Sequence, residues 1–342
     1  MLRKAILGLL AALGVLGGAE GALRLALPVD SLLFEWERPT GLIATNEAGG
    51  VVTRPNMVEG RQDGPYPWAV RLNALGLRED ADVPRAKEPG TYRILALGDS
   101  WMFGFSVDQG DTVPDVLERL LPERLGVARV EVINAGVFGS CAFDMLARYR
   151  QLVDTYAIDG VLLGQPHNAS RVDRVEAARG AWYRSYREGP ASNARLYLLA
   201  RRALAPFRGS AYAAPPAGAG RDAEIADLRL LAADARARGL AVWFTELPND
   251  MNDGLAGFSG SAAWREGLAS EGVHFGGHAL GERACWGFLD TGHPSEAGAY
   301  AIASAMAEVI VTGASLETIR TSPRCADGPT AGPGKPGWGW GG

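Results

Sequence analysis

Short apolar runs alternate with amphipathic segments from Tyr92 onward, and this alternation limits the fold more than any other feature of the chain. The runs 92–98, 128–136, 158–168 and 240–248 are short, rich in Val, Ile and Leu, and bounded by turn-forming residues, which is typical of buried strands. The amphipathic segments between them predict helices that cover both faces of a parallel sheet. We therefore predict an α/β fold whose sites form at the carboxyl ends of the strands.

The predicted helices carry start and stop signals. The segment 111–125 begins with Asp111 or Thr112 as a helix N-cap and has Pro114 in its first turn. The segment 222–239 presents one apolar face and ends at a glycine that fits a helix C-cap. Further helices are predicted over 141–156, 193–207 and 295–313.

The N-terminus has the layout of an export signal. Arg3 and Lys4 form a short basic region, an apolar run extends over 5–19, and Glu20 ends that run. The run is shorter than the roughly 20 residues that span a bilayer comfortably. Two interpretations remain open, namely a signal-anchor with its basic end inside, or a signal peptide cleaved near 17–19. Both place the main domain outside the cytoplasm.

Composition shifts along the chain suggest its domain boundaries. The α/β domain contains an insertion at 175–222, and a segment of this length is typical of a lid or a substrate-contacting element. The predicted parts are a signal-anchor or signal peptide at 1–27, a membrane-proximal extension with a few short strands at 28–90, the α/β domain at 91–313, and a low-complexity tail at 314–342.

Charge and cysteine content narrow the functional classes. A formal net charge of −5 over 342 residues gives no basic surplus, which argues against a nucleic-acid partner. The chain has three cysteines, a small and odd number that argues against a disulfide framework. They are Cys141, Cys285 and Cys325. Two states remain open for them, namely three unpaired thiols, or one Cys285–Cys325 bridge in an exported protein.

His274 and His278 raise the question of a metal site. They lie four positions apart, a spacing that on a helix would place two ligands on one face. The segment HFGGH contains two glycines and is a poor helix former. We therefore interpret both as loop histidines and predict neither a metal nor a cofactor.

Polar residues follow the predicted strands. Ser100 follows the first strand, Gly136 the second and Asn168 the third, while Asp290 and His293 precede the last helix. Because the carboxyl ends of parallel strands share one edge, we expect these five residues to converge. Each alone also fits a helix cap or a turn. Together they supply the nucleophile, base, carboxylate and oxyanion donors that serine hydrolysis needs.

The segments that carry these residues resemble a known family. Four segments resemble, in their order and their residues, blocks I, II, III and V of the SGNH (GDSL-like) hydrolases over residues 91–310. These segments are GDSWMFG, NAG, GQPHN and DTGHP. The upstream segment NALGLRE (73–79) resembles the Asn-x-x-Gly-x-Arg segment of membrane-anchored bacterial members. The resemblance implies a flavodoxin-like three-layer α/β/α sandwich with a central parallel sheet.

The same resemblance implies a role for each site residue. Ser100 is then the nucleophile, His293 the base that later protonates the leaving alcohol, and Asp290 the carboxylate that orients the imidazole. The N–H groups of Ser100 and Gly136 and the side-chain amide of Asn168 form the oxyanion hole.

Block III departs from the family pattern. The family usually continues Asn-Asp, whereas here Asn168 is followed by Ala169 and preceded by His167. The spacing from Gly164 fits some members, so we keep Asn168 as the oxyanion residue. His167 is either a substrate contact or a histidine satisfied within its loop.

The function expected from these features is that of an exported or membrane-tethered serine esterase without a cofactor. Its partners are an ester-bearing substrate, a glycan O-acetyl group or an acyl lipid, and the membrane through the N-terminal segment. Two alternatives remain, namely O-acyl transfer to a glycan by the same triad, and a non-catalytic member that binds a glycan or a protein. The presence of all three triad residues argues against the second alternative. Nothing in the sequence indicates an oligomeric state.

Overall fold

The computed structural model describes residues 2–28, 32, 42–45, 51–61, 67–166, 194–204, 219–246, 261–276, 293–313 and 315. The chain forms two compact units, which we call the first and second units. The first unit comprises Met1–Gly41 and Arg174–Ala214, and the second comprises Leu42–Asp173 and Pro215–Gly342.

The first unit contains helix α1 (Leu2–Ala26) and the helix α5 (Arg195–Leu204), which confirms the helix expected there. By length and composition, 21 residues of α1, Ile6–Ala26, could cross a membrane. The helix runs through Glu20, where the apolar run of the sequence ends, and continues to Ala26. The Glu20 carboxylate accepts N–H groups from the first turn of α5 and from the Arg24 side chain, so its charge is satisfied within the unit.

A five-stranded parallel sheet forms the centre of the second unit, as the alternating pattern predicted. Its strand order is β6-β5-β7-β8-β9, and every neighbouring pair is parallel. The strands are β5 (Thr91–Leu97), β6 (Arg129–Asn134), β7 (Gly160–Gly164), β8 (Ala241–Thr245) and β9 (His274–Gly276). The buried patterns of β5, β6 and β7 show that this sheet is covered on both faces.

Helices form the outer layers of the second unit. They are α2 (Ser100–Phe103), α3 (Val113–Leu125), α4 (Ala142–Leu152), α6 (Ala219–Ala237), α7 (Ser261–Leu268) and α8 (Glu296–Thr312). Helices α4, α6 and α7 pack on one face of the sheet against side chains such as Leu95 and Leu97 of β5. Helices α3 and α8 pack on the other face against Ile94 and Ala96. The three-layer architecture is thus the one that the sequence predicted.

The predicted helix signals act as expected. Thr112 is the N-cap of α3, where its side chain and that of Asp115 cap each other's backbone N–H groups, and Pro114 lies in the first turn. Gly239 follows α6 with a left-handed φ of 77°, and its N–H donates to the Arg236 carbonyl.

The extension contributes four short strands to the second unit. Strand β1 (Ile43–Thr45) pairs antiparallel with β2 (Val51–Thr53), and β3 (Met57–Arg61) pairs antiparallel with β4 (Trp68–Leu72). The buried face of β4 packs against Phe103 of α2. The extension therefore shares a core with the α/β domain at the helix that begins with Ser100.

One local prediction is wrong, because His274 lies in β9 and not in a loop. That strand has three residues and no apolar run, and pairing with β8 defines it. Among the described residues, no cluster of His, Cys, Asp and Glu side chains could hold a metal ion, and Cys141 is a buried free thiol. Several residues discussed above lie outside the described part of the chain, namely His167, Asn168, His278, Cys285, Asp290 and Cys325.

Candidate active site

The nucleophile candidate stands where β5 turns into α2. Asp99 is the N-cap of α2, and its carboxylate accepts the Trp101 N–H at 3.2 Å. A Cβ at Gly98 would lie 2.4 Å from the Cβ of Met102, so only glycine lets the helix fold back this closely on the strand end. The small polar turn thus exists to start a helix at Ser100.

The apolar residues after Ser100 anchor this turn in the core. Trp101, Met102 and Phe103 are all buried. The Trp101 indole N–H donates to the Gln165 carbonyl at 2.8 Å, just beyond the end of β7. These buried side chains hold α2 in place.

Ser100 and His293 meet although 193 positions separate them in the chain. The distance between Ser100 Oγ and His293 Nε2 is 2.8 Å, and the pair is partly buried. His293 lies two residues before Ser295, the N-cap of α8. A hydroxyl and an imidazole nitrogen at this distance have the geometry of a nucleophile and its general base.

Gly136 lies against the backbone of α2. A Cβ at this position would be 2.5 Å from the Phe103 nitrogen, so the approach requires glycine. The Gly136 N–H donates to Asn134 Oδ1 at 3.1 Å. Its predicted role as an oxyanion donor stays a prediction, as do the roles of Asn168 and Asp290, which lie outside the described residues.

Two phenylalanines that the sequence analysis did not select flank the imidazole of His293. The ring centroid of Phe105 lies 4.7 Å from that of His293, and the centroid of Phe138 lies 6.5 Å from it with nearly parallel planes. The two phenylalanines contact each other at 5.0 Å, and Phe105 also contacts Trp68 of the extension at 5.5 Å. No periodicity marks these positions, so only the folded turn reveals them.

The segment 73–79 supports the end of α2 and the loop that follows it through Arg78. This guanidinium is 1% exposed and donates to the carbonyls of Phe103, Gly104 and Val107 at 2.9, 2.5 and 2.6 Å. It also donates to the Ala69 carbonyl and to the Gln109 side chain at 3.1 and 3.2 Å. Burial lowers the pKa of Arg78 to about 10, so it remains charged at neutral pH.

Asn73 shapes the turn that presents Arg78. Its side-chain oxygen accepts the N–H groups of Leu75 and Leu77 at 3.0 Å each. Gly76 within this turn has a left-handed φ of 67° and lies against the Thr53 backbone. The Asn-x-x-Gly-x-Arg pattern therefore encodes a tight turn followed by a buried brace for the loop after α2.

Two buried carboxyl groups lie near the carboxyl edge of the sheet. Glu79 accepts the Asn134 N–H at 2.7 Å, and burial raises the pKa of Glu79 to about 8. Burial, together with the nearby charge of Asp99, raises the pKa of Glu224 to about 8 as well. Both carboxyls are therefore mainly protonated at neutral pH, which avoids unpaired buried charge near Ser100.

No family model and no curated protein matches the chain. Among solved structures it is similar to an α/β hydrolase enzyme from the metagenome of Lake Arreo, Spain, with 16% identity and a TM-score of 0.41 over 66% of this chain and 97% of that one. It is similar to the lipase/acylhydrolase from Enterococcus faecalis, with 14% identity and a TM-score of 0.42 over 67% and 100%.

A further similar structure is a member of the lipolytic protein G-D-S-L family from Veillonella parvula, with 16% identity and a TM-score of 0.35 over 65% of this chain and 99% of that one. The chain is similar to G-D-S-L family hydrolases. All three TM-scores lie below 0.5, so the architecture rests on the chain's own sheet order and helix layers, and the chemistry rests on Ser100 and His293.

Proposed function

We propose that the protein is an ester hydrolase in which Ser100 is the nucleophile and His293 the general base. The observation that carries the proposal is the 2.8 Å contact between Ser100 Oγ and His293 Nε2. This contact lies at the carboxyl edge of a parallel sheet, where sites form in such folds.

The geometry supports a two-step reaction. Ser100 Oγ attacks the ester carbonyl carbon while its proton moves to His293 Nε2, and the imidazolium then protonates the leaving alcohol. Water attacks the acyl-enzyme by the same route, which releases the acid and restores the serine. The Ser100 N–H belongs to the first turn of α2, where N–H groups lack intrahelical acceptors, and this supports its use as an oxyanion donor. The proposal includes Gly136 and Asn168 as further oxyanion donors, and Asp290 as the group that orients the imidazole.

The proposed substrate is a carboxylic ester, either an O-acetyl group on a glycan or an acyl lipid. O-acyl transfer to a glycan is the second candidate, because the same acyl-enzyme would serve if a sugar hydroxyl replaced water. A purely binding role fits less well with a serine hydroxyl held at hydrogen-bond distance from an imidazole. Helix α1 supports export as a signal-anchor or a signal peptide, with the second unit outside the cytoplasm.

Hydrolysis of p-nitrophenyl acetate by the full chain tests the proposal. We expect Ser100→Ala and His293→Ala to lose turnover, and Ser304→Ala, which changes an exposed hydroxyl on α8, to keep it. Turnover that persists in Ser100→Ala would contradict the proposal. Product analysis with an acetylated glycan then separates the two candidates, because hydrolysis releases acetate whereas transfer yields a newly acetylated acceptor.

A further inference from the structure

Phe105 is tied to the nucleophile through its backbone. Its N–H donates to the Ser100 carbonyl at 2.9 Å, so the ring is presented one turn beyond the serine. Its centroid lies 4.7 Å from that of His293, with 49° between the ring planes. The Phe105 ring therefore contacts the same imidazole whose Nε2 lies beside Ser100 Oγ.

The residue that follows Phe105 adopts an unfavourable backbone conformation. Ser106 has a φ of 61°, one of two positive values at non-glycine residues among the described residues. Its side chain is buried, and its hydroxyl has no hydrogen-bond partner in the described part of the chain. Such strain costs on the order of 1–3 kcal/mol and is typical of functional sites. Here the strained residue directly follows the ring that contacts the imidazole.

The extension supports Phe105 from its other side. Trp68 of β4 contacts Phe105 edge-on, with centroids 5.5 Å apart. The Arg78 guanidinium lies 5.3 Å from the Trp68 ring centre, which fixes the tryptophan in turn. Ser100 Oγ contacts the imidazole at 2.8 Å, and the Arg78 guanidinium also lies 5.1 Å from the Phe103 ring centre.

A protonated imidazole interacts favourably with an aromatic ring at this distance. Cations are attracted to aromatic rings within about 6 Å of the centroid, and desolvation strengthens the attraction. Phe105 lies within this range of His293, whereas Phe138 at 6.5 Å lies outside it. During acylation the proton leaves Ser100 Oγ for His293 Nε2, so the positive charge develops beside Phe105.

We propose that Phe105 is a positioning residue that holds the His293 imidazole at Ser100 and stabilises the imidazolium formed when the serine proton moves to it. The inference rests on the proposed function. Phe105 contacts the base but neither gives nor takes a proton, so the balance of the reaction is unchanged.

Phe105→Leu removes the aromatic ring and keeps most of the apolar volume. We expect kcat on p-nitrophenyl acetate to fall by roughly 3- to 10-fold, as for the loss of one cation–π contact. The acidic limb of the pH–rate profile should move to lower pH by about half a unit, because the protonated base loses stabilisation. Phe105→Tyr keeps the ring and should restore both values.

Tyr300→Leu is the control, since it removes an exposed aromatic ring from α8, the helix that follows His293. Its acidic limb should coincide with that of the native protein. A purely structural role for Phe105 predicts a lower melting temperature and an unmoved limb, and that result overturns the inference. A folded Phe105→Leu protein with native kcat overturns it too.

The two proposals fail in different ways. A native protein without Ser100-dependent turnover contradicts the proposed function, and the role of Phe105 falls with it. Native turnover together with an unmoved limb in Phe105→Leu overturns the role of Phe105 alone.

Discussion

Replacing Arg78 with lysine should destabilise the second unit. The guanidinium donates five hydrogen bonds, of which one goes to the carbonyl of Phe103 at the end of α2 and two go to carbonyls of the loop that follows, at Gly104 and Val107. A lysine ammonium has three donors on a single atom and cannot reproduce the planar fork. At least two of the five acceptors, three of which are buried, therefore lose Arg78 as their donor.

The magnitude of this loss follows from the cost of unsatisfied buried groups. Each costs roughly 1–3 kcal/mol, so two of them lower the free energy of unfolding by at least about 2 kcal/mol. Urea unfolding of the full chain in detergent, followed by tryptophan fluorescence, measures this as a lower midpoint at an unchanged slope. The turnover of p-nitrophenyl acetate should fall as well, since the loop carries Phe105.

Arg71→Lys is the matched control for Arg78→Lys. Arg71 lies on β4, seven positions before Arg78, and pairs with Asp80 at 3.4 Å with exposed side-chain fractions of 49% and 71%. An exposed pair of this kind contributes about 0–1 kcal/mol, so its midpoint should stay near the native value. Equally small shifts of the urea midpoint for Arg78→Lys and Arg71→Lys would refute the view that Arg78 braces the loop after α2.

Three further changes test other parts of the site. Gly136→Ala should lower turnover by about 100-fold because its Cβ displaces the backbone of α2, whereas Gly60→Ala, with open space around it, should have no effect on turnover. Asn168→Ala should lower kcat by roughly 100- to 1,000-fold at an unchanged melting temperature if its amide is an oxyanion donor. Glu224 binds its proton more tightly in the folded state, so stability should fall as pH rises from about 4.5 to 8. Glu224→Gln removes that loss. Urea unfolding should therefore show that the variant is more stable than the native protein at pH 8, by on the order of 4 kcal/mol, and equally stable near pH 4.

The sequence predicts the sheet and its helices because these features are local. Strands β5 to β8 and helix α3 are marked by their own apolar runs and caps, and the parallel order follows from their alternation with helices. The contact between Ser100 and His293 follows from the same logic, since both residues stand at the carboxyl edge of the sheet.

Features that depend on contacts between distant parts of the chain could not be predicted from the sequence. Strand β9 is defined by its pairing with β8, and its own three residues carry no strand signal. The ring of Phe105 reaches His293 through a strained turn that no sequence period marks. The Asn-x-x-Gly-x-Arg resemblance drew attention to 73–79, but only the buried position of Arg78 reveals that it braces the loop after α2.

Mapping the adduct of a fluorophosphonate probe shows whether Ser100 is the nucleophile and His293 its base. The probe reacts with serine nucleophiles that an adjacent base activates. We expect a single adduct on the peptide that contains Ser100 in the native full chain, and none in Ser100→Ala or His293→Ala. A folded native protein that forms no adduct, or forms it on another serine, would contradict the assignment of Ser100 and His293 as nucleophile and base.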